Sequence, residues 1–423
     1  MILTDAPAEI DKQYVKHLVS TKMEQDSLSP VVFVENKLGL AYWCLSQLYA
    51  HSLLKYNQIK SLVGTRDKSV IEEIKRITRI MLLVNSDNYT IWGVRKKCIE
   101  TLLELGENSL NILQEEIRLL NLINSKHPKS GESWEHRGWL LGKLFPTISE
   151  PDYIIDFCVE ETRITERTCV LYSRCYYAWK HCIVLMQHVK SVNNKQLTRS
   201  WIQKELLRLE KWTRKNVSDH SSFHYLRYIL EADLKDICDA EEAGHKLIRL
   251  TRQFHYCQFL ILFFPGHESL WLYRRMLWGL LMDLSENVML NGSSLSGVEE
   301  QVERSQQEFK LYEEEYQYKI PTLKNELVYA EQCANDSHMA DFHKQRSYAL
   351  AYQLYILESA SKNMSLQSET NSLQQVLLTR DLTSGQSNVD LIQHKATHVL
   401  HLLKGNEQSA QVALWNQKIQ LKI

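Results

Sequence analysis

The sequence contains few helix-breaking residues, with 14 Gly and 7 Pro among 423 residues. Gly and Pro disfavour helix interiors, whereas Leu, Glu, Lys and Gln are tolerated there, so the composition predicts a mainly helical protein. The apolar run Phe259–Phe264 is far too short to span a bilayer, and no charged-then-apolar leader is recognisable. We therefore expect a cytoplasmic protein without a membrane span.

An excess of one charge is also missing, because 50 Lys and Arg residues face 51 Asp and Glu residues. This balance argues against a protein that binds nucleic acid mainly through phosphate contacts. Nine Cys residues are scattered without C-x-x-C pairs, which fits neither a disulfide framework nor a zinc module. His338 and His343 lie five residues apart, off the spacing of a helical metal site, and Asp156 and Cys158 form an isolated pair. We expect no metal and no other cofactor in this chain.

What the sequence does contain is a repeated signature, a Trp followed three residues later by an Arg. The segments lie near residues 87–95, 128–137, 175–182, 220–227 and 265–274. Their Trp positions, spaced by 42 to 47 residues, are occupied by Trp92, Trp134, Trp179, His224 and Trp271. A period of this length indicates a stack of similar units rather than one closed core, and such stacks offer a long surface to a partner.

Each unit is predicted to be a helical hairpin. Apolar residues recur at helical spacing over Ser69–Val84, and Ser86-Asp87-Asn88 then supplies a turn and an N-cap for the helix that carries Trp92. Pro128 and Pro265 occupy the matching position in their own units, between two helices. The pattern therefore predicts an all-α fold, a solenoid of helical hairpins.

Changes in composition predict the borders of this array. Trp43 is interpreted as the mark of an imperfect first unit, because terminal repeats are often degenerate. Stretches rich in Ser, Asn, Gly, Gln or Thr predict a flexible insertion and a disordered linker. The predicted parts are an N-terminal segment (1–35), the solenoid (36–360, with the insertion at 286–297), the linker (361–390) and a helical tail (391–423).

The Trp and Arg of the signature are expected to hold neighbouring hairpins together. Residues at positions i and i+3 share one helix face, so a buried indole and a guanidinium would project into the same joint. The guanidinium is expected to bind free carbonyl groups at the end of a neighbouring helix. The residues given this structural role are Trp92, Arg95, Trp134, Arg137, Trp179, Arg227, Trp271 and Arg274.

Over roughly Val70 to Met282 the chain resembles the α subunits of protein prenyltransferases, whose repeat reads Pro-x-Asn-Tyr-x-x-Trp-x-x-Arg. Asn88–Trp92 and Tyr176–His181 carry the resemblance most closely. The resemblance implies a right-handed α-α superhelix wrapped around a β subunit that holds the zinc ion and the lipid pocket. It implies a subunit that is inactive alone and that shapes the substrate site of a prenyltransferase. The expected reaction is geranylgeranyl transfer to a Cys near the C-terminus of a protein. A β subunit of the Rab geranylgeranyltransferase type is the expected partner.

The resemblance also implies candidate site residues. In the family, a Lys just before the Asn-Tyr of the third repeat contacts the prenyl diphosphate; Arg174 stands there and keeps the charge though not the geometry. Lys129 has the same offset before Trp134 and is the weaker candidate. Tyr176 and Tyr177 follow as candidates for substrate binding. Tyr177 replaces the Gln that meets the substrate carboxylate in CaaX enzymes, which departs from ordinary CaaX recognition because a phenol offers one donor and an amide two.

A second function remains open at this point. Scaffolds of the HEAT or armadillo type have overlapping periods, and such a scaffold would bind a partner protein in its concave face without taking part in catalysis. The feature that separates the two is the Trp-x-x-Arg at the start of the second helix, for which HEAT units have no need.

Overall fold

The computed structural model describes residues 2–4, 31–34, 37–192, 194–235, 240–290, 321–339, 341–365, 395–399 and 402. After a short sheet the described chain is helical. The helices are α1 (Leu45–Ile59), α2 (Lys68–Val84), α3 (Tyr89–Glu104), α4 (Ser109–Lys126), α5 (Gly131–Leu144), α6 (Pro151–Leu171), α7 (Tyr176–Ser191), α8 (Lys195–Lys215), α9 (His220–Leu234), α10 (Ala240–Phe263), α11 (Glu268–Leu290), α12 (Leu323–Asn335) and α13 (Phe342–Ser365).

From α2 onward the helices pair in hairpins: α2–α3, α4–α5, α6–α7, α8–α9, α10–α11 and α12–α13. Short polar side chains start many of them, because they satisfy amides that have no partner within the helix. Asn88 accepts a hydrogen bond from the Ile91 amide at 3.2 Å, and Asn108 accepts one from the Leu110 amide at 2.9 Å. The helical hairpin predicted from the apolar spacing is therefore confirmed as the repeating element.

The N-terminal segment differs from the prediction by containing strands. β1 (Ile2–Thr4), β2 (Val31–Val34) and β3 (Lys37–Leu40) form an antiparallel sheet in the order β1-β3-β2. β1 lies against α4. Runs of three or four residues are too short to give a periodic signal in the sequence, which is why composition alone did not predict them.

The Trp proposed to mark a degenerate first unit does not behave like a repeat Trp. Trp43 lies in a single turn of 3-10 helix, Tyr42–Cys44, and its side chain is 58% exposed. Trp92, in contrast, is almost fully buried. The interpretation of Trp43 is therefore corrected: it precedes the array without forming one of its joints.

The chain divides into two compact units, Met1–Trp201 and Ile202–Ile423. In the first unit, apolar residues of the hairpins between α2 and α7 form the core; Ile74, Met81 and Leu120 are inaccessible to solvent. In the second, the core is formed by the hairpins between α9 and α13, and Leu277 and Ile356 are equally inaccessible.

Two predicted borders move by five residues. α11 continues to Leu290, so 286–290 is helical rather than part of the insertion, and 291–297 lies outside the described residues. α13 continues to Ser365, which places 361–365 in a helix, and 366–390 lies outside the described residues. In the predicted tail, residues 395–399 are helical. No helix in the described part of the chain combines the length and apolarity needed to cross a membrane.

Candidate functional site

The indoles of Trp92 and Trp134 anchor the start of their helices to the preceding turn, whereas that of Trp271 donates to the Gln345 side chain on α13 at 3.2 Å. Trp92 and Trp134 are buried, and each indole Nε1 donates to a backbone carbonyl six residues earlier, Ser86 and Pro128, at 2.8 Å in both cases. Trp179 is buried in the same way. The indole thus supplies apolar area to the joint while its one polar atom stays satisfied. This geometry fixes the turns that carry the candidate site residues.

The signature Arg residues bind carboxylates, which the sequence analysis missed. Arg95 on α3 makes a bidentate ion pair with Glu116 on α4, with Nε–Oε1 and Nη2–Oε2 distances of 2.7 and 2.5 Å. Arg137 pairs with Glu161 on α6, and Arg274 pairs with Glu326 on α12, in the same bidentate manner. Arg95 also donates to the Lys75 carbonyl at 2.8 Å, but this carbonyl lies in the middle of α2 and not at a helix end as predicted. Each of these Arg residues therefore joins the second helix of one hairpin to the first helix of the next.

The carboxylates stay charged although they are buried. Burial alone would raise the pKa of Glu161, but the charge of Arg137 and hydrogen bonds from Arg137 and His181 outweigh it and lower that pKa to about 2. The pKa of Glu116 is lowered for the same reasons, by Arg95 and His136. Both joints consequently contain a complete ion pair at neutral pH.

A second contact recurs within every hairpin from the second onward. The residue two positions after the Trp site bonds a carboxylate or amide oxygen on the first helix of its own hairpin. The pairs are His136–Glu116 (3.0 Å), His181–Glu161 (2.8 Å), Tyr225–Glu205 (2.8 Å), Tyr273–Gln253 (2.6 Å) and Tyr352–Glu326 (2.7 Å). We call these five pairs the acceptor ladder. It shows that the repeat extends to α13, one hairpin beyond the last Trp signature.

The acceptor ladder corrects the register of the fourth unit. Tyr225 occupies the ladder position, so the Trp counterpart is Phe223 rather than His224, and the Arg counterpart is Leu226 rather than Arg227. Phe223 is buried, whereas His224 is exposed and Arg227 is 55% exposed and pairs with Glu231 on its own helix. Arg227 therefore has no structural role in the joint.

The acceptors change together with the cations. Where Leu226 replaces the Arg, the acceptor on the next first helix is the neutral Gln253, so no unpaired carboxylate is buried there. In the third unit Cys182 stands at the Arg position, and the buried Glu205 is neutralised by Arg208 on its own helix at 2.8 and 2.6 Å. Both departures from the signature are thus compensated within the chain.

In the compact unit Met1–Trp201 the turns that precede α3, α5 and α7 are hydrogen-bonded to one another. Ser130 donates to Asp87 Oδ1 at 2.7 Å, and the Cys175 thiol donates to the Pro128 carbonyl at 3.2 Å. The Pro128 carbonyl therefore receives both the Trp134 indole and the Cys175 thiol. Lys129 and Arg174, each one residue away from such a contact, are carried on adjacent turns.

The four predicted site residues lie in these turns or at the start of the helix that follows. Lys129, Arg174, Tyr176 and Tyr177 are all exposed, and we call them the cationic turn edge. The rings of Tyr176 and Tyr177 meet edge to face, with centroids 5.6 Å apart. Tyr177 also lies over Gly131 at the start of α5, so closely that a Cβ there would be 2.9 Å from the ring. That contact ties the turn of Arg174 to the turn of Lys129.

Arg174 occupies an unusual backbone conformation. Its φ is +59°, in the left-handed region that disfavours side chains by roughly 1–2 kcal/mol. The corresponding residue of the fifth unit, five before Trp271, is Gly266 with φ of +79°. The same left-handed position is therefore occupied by Gly in the turn before α11 and by Arg in the turn before α7. The third turn keeps a charged side chain where Gly would be less strained.

Exposed large side chains precede Arg174 in the chain. Val170 and Leu171, in the last turn of α6, are both exposed, as is Tyr172 directly after them. Within the described residues, no group of three or more His, Cys, Asp or Glu side chains is arranged to hold a metal ion. The edge can thus present cations beside an apolar surface, which suits an anionic group attached to a hydrocarbon.

Comparison with known proteins agrees with this repeat. A family model described as "Protein prenyltransferase alpha subunit repeat" matches residues 113–144 and 202–233. Each match runs from a first helix carrying a ladder carboxylate, Glu116 or Glu205, through the second helix of the same hairpin. Two hairpins of the chain therefore match the repeat of protein prenyltransferase alpha subunits. These repeats account for the hairpins, the buried indoles and the placement of the turns.

Full-length comparison also finds similar proteins. The chain is 34% identical over 287 residues to protein prenyltransferase alpha subunit repeat-containing protein 1 of Danio rerio, covering 58% of this chain and 63% of that protein. It is 28% identical to the Homo sapiens protein of the same name, covering 65% and 77%. It is 26% identical to the human geranylgeranyl transferase type-2 subunit alpha, covering 52% of this chain and 35% of that subunit. The match thus spans less than two thirds of the zebrafish protein.

Proposed function

We propose that this chain is the α-type subunit of a heterodimeric protein prenyltransferase, contributing the cationic turn edge to a site completed by a β subunit. The observation that carries the proposal is Arg174, kept in a strained and exposed position beside Lys129 and two exposed tyrosines. Strain retained at an exposed charged residue points to a role outside the fold. Such residues suit a prenyl diphosphate, whose charge they would neutralise as the diphosphate leaves.

We further propose that the transferred group is a geranylgeranyl chain and that the β subunit is of the Rab geranylgeranyltransferase type. The similarity to a geranylgeranyl transferase type-2 subunit alpha supports this choice. We also propose that the β subunit holds the zinc ion, as the resemblance to prenyltransferase α subunits implies. The chain's own part is to hold the diphosphate through Arg174 and Lys129 and to pack Tyr176 and Tyr177 against the substrate.

The test is transfer of labelled geranylgeranyl diphosphate onto a protein ending in Cys, by this chain co-purified with the β subunit. Arg174→Glu places a negative charge at the site and should reduce transfer at least about tenfold. Arg163→Glu, on the exposed face of α6, makes the same charge change elsewhere and should leave transfer unchanged. Equal rates for Arg174→Glu and wild type would exclude the proposed diphosphate contact.

The scaffold alternative makes a different prediction for the same complex. A scaffold would bind its partner but transfer no lipid, and its exposed apolar residues Val170 and Leu171 would serve only the contact. A stable complex without transfer, for every β subunit and Cys-ending substrate tried, would therefore favour the scaffold.

A further inference from the structure

A second exposed surface lies in the compact unit Ile202–Ile423 and shares no residue with the cationic turn edge. Phe259, Leu262 and Phe263, in the last turns of α10, are all exposed, and Phe263 is 65% exposed. The rings of Phe259 and Phe263 lie 4.3 Å apart between centroids. Soluble surfaces rarely group several large apolar side chains in this way without a partner. The cluster therefore requires an occupant.

Basic side chains of α8 lie directly beside this cluster. Lys211, Arg214 and Lys215 are exposed in the last two turns of α8. The guanidinium carbon of Arg214 is 5.9 Å from the centroid of the Tyr256 ring and 6.0 Å from that of Phe259, which fixes the end of α8 against α10. We call Lys211, Arg214, Lys215, Phe259, Leu262 and Phe263 the basic aromatic face.

Acidic residues near this face are engaged by partners within the protein. Glu205 is buried, where it binds Arg208 and Tyr225. Glu210 is half-buried and accepts a hydrogen bond from the Gln253 side chain at 2.6 Å. Asp341, which packs against Gly266 in the turn after α10, pairs with Lys344. The face consequently combines three cations with an apolar cluster, in a chain whose net charge is −1.

We infer that the basic aromatic face binds the surface of an anionic membrane. A bilayer containing acidic lipids offers a negative headgroup layer over hydrocarbon, and thus complements both parts of the face. An acidic peptide would satisfy the cations but would leave Leu262 and Phe263 in water. A nucleic acid would satisfy the cations and stack on a ring, but it offers nothing to the aliphatic Leu262. The inference does not depend on the proposed function.

Vesicle co-sedimentation of the full-length chain tests the inference. Vesicles of phosphatidylcholine with about 30% phosphatidylserine should bind it, pure phosphatidylcholine should bind much less, and raised salt should weaken the interaction. Lys211→Gln, Arg214→Gln and Lys215→Gln combined should lower the affinity by roughly two orders of magnitude, since each cation contributes about fivefold. Phe263→Ser should lower it by about tenfold.

Matched controls are available in the first unit. Arg66→Gln, Lys68→Gln and Arg76→Gln combined change the net charge equally at exposed positions, and Leu54→Ser removes an apolar side chain that is also 65% exposed. Both should bind like wild type, and circular dichroism should show all variants folded. Absence of binding to anionic vesicles would overturn the inference. Loss on charge removal with no change for Phe263→Ser would also overturn it and indicate an unspecific polyanion site.

Discussion

At the scale of single residues, the joints between hairpins depend on buried ion pairs that were only half visible in the sequence. The Arg of the signature was recognisable from its spacing to Trp. Its partners, such as Glu116 and Glu161, were not, because a Glu within an amphipathic helix looks like a solvent-exposed charge. Their signal was the spacing: Glu116, Glu161 and Glu205 follow one another at 45 and 44 residues, the period of the repeat itself.

Removing one partner of such a pair should be costly. Glu161→Gln leaves the Arg137 guanidinium buried without a carboxylate, and breaking a buried pair in this way destabilises a protein by roughly 3–5 kcal/mol. Glu160→Gln removes the neighbouring carboxylate, which is half-exposed, and should change the free energy of unfolding by less than about 1 kcal/mol. Chemical denaturation of the two variants measures the contrast. Equal effects would show that the joint does not depend on the ion pair.

Gly131 gives a second contrast at the residue scale. A Cβ at Gly131 would come within 2.9 Å of the Tyr177 ring, whereas a Cβ at Gly138 on the same helix would make ordinary contact with Val184 at 3.6 Å. Gly131→Ala should therefore displace Tyr177 and lower transfer by the proposed heterodimer, while Gly138→Ala should leave it unchanged. If Gly131→Ala left both the Tyr177 resonances in an NMR spectrum and the transfer rate unchanged, the contact would have no importance for the site.

Arg174 separates stability from function. Arg174→Gly relieves the left-handed backbone and should raise the free energy of unfolding by up to about 1 kcal/mol. The same change removes the cation and should reduce prenyl transfer. Arg174→Lys keeps the charge and should restore part of the transfer without the gain in stability. A variant Arg174→Gly that is both more stable and fully active would show that the Arg has no functional role.

At the scale of the elements, the hairpins and their turns were predictable, but the register of one unit was not. His224 and Arg227 reproduce the three-residue spacing of the signature by chance, one residue away from the positions that are buried. Only packing distinguishes them, since Phe223 and Leu226 fill the joint. The strands at the start of the chain were missed because they are short, and the ends of α11 and α13 were missed because composition does not fix the residue at which a helix ends.

The acceptor ladder predicts that acid changes the stability of the two compact units, Met1–Trp201 and Ile202–Ile423, to different extents. In the first unit His136 and His181 occupy the ladder; burial lowers the pKa of both rings despite the hydrogen bonds that they donate to Glu116 and Glu161. An unfolded His titrates near 6.5, so the stability due to a neutral buried His is complete above pH 6.5 and decreases as the pH falls below it. In the second unit Tyr residues occupy the ladder, and burial raises the pKa of Tyr273 and Tyr352 well above the usual value for tyrosine.

Amide hydrogen exchange at pH 7.5 and 5.5, expressed as protection factors, measures this difference. Protection in α4, α5 and α7 should decrease at pH 5.5, by up to about 1.4 kcal/mol per pH unit and His, whereas α9 and α11 should change little. The charges facing the rings are Glu116, Arg95 and Lys96 for His136, and Glu161 and Arg137 for His181. Replacing both His residues by Gln should abolish the decrease. A second decrease belongs to Glu161, between pH 4.5 and about 2.

At the scale of the whole molecule, most signature residues are buried in the fold, whereas the turns carry exposed cations. Trp92, Arg95, Trp134 and Arg137 are buried, whereas Arg174 and Lys129 are exposed on adjacent turns. Two of the hairpins match a known repeat family, and the sequence could predict which turns carry the cations. It could not predict that a thiol, a tyrosine ring and a glycine join those turns, because these contacts connect residues about 45 positions apart.

The most direct test of the central proposal is reconstitution of transfer from separate chains. This chain and a β subunit of the Rab geranylgeranyltransferase type, each inactive alone, should form a complex in a 1:1 ratio that transfers labelled geranylgeranyl groups to a Cys-ending protein. We expect transfer only when both chains are present, and Arg174→Glu should reduce the transfer rate. Transfer by the β subunit alone at the same rate, or no complex with any prenyltransferase β subunit, would contradict it.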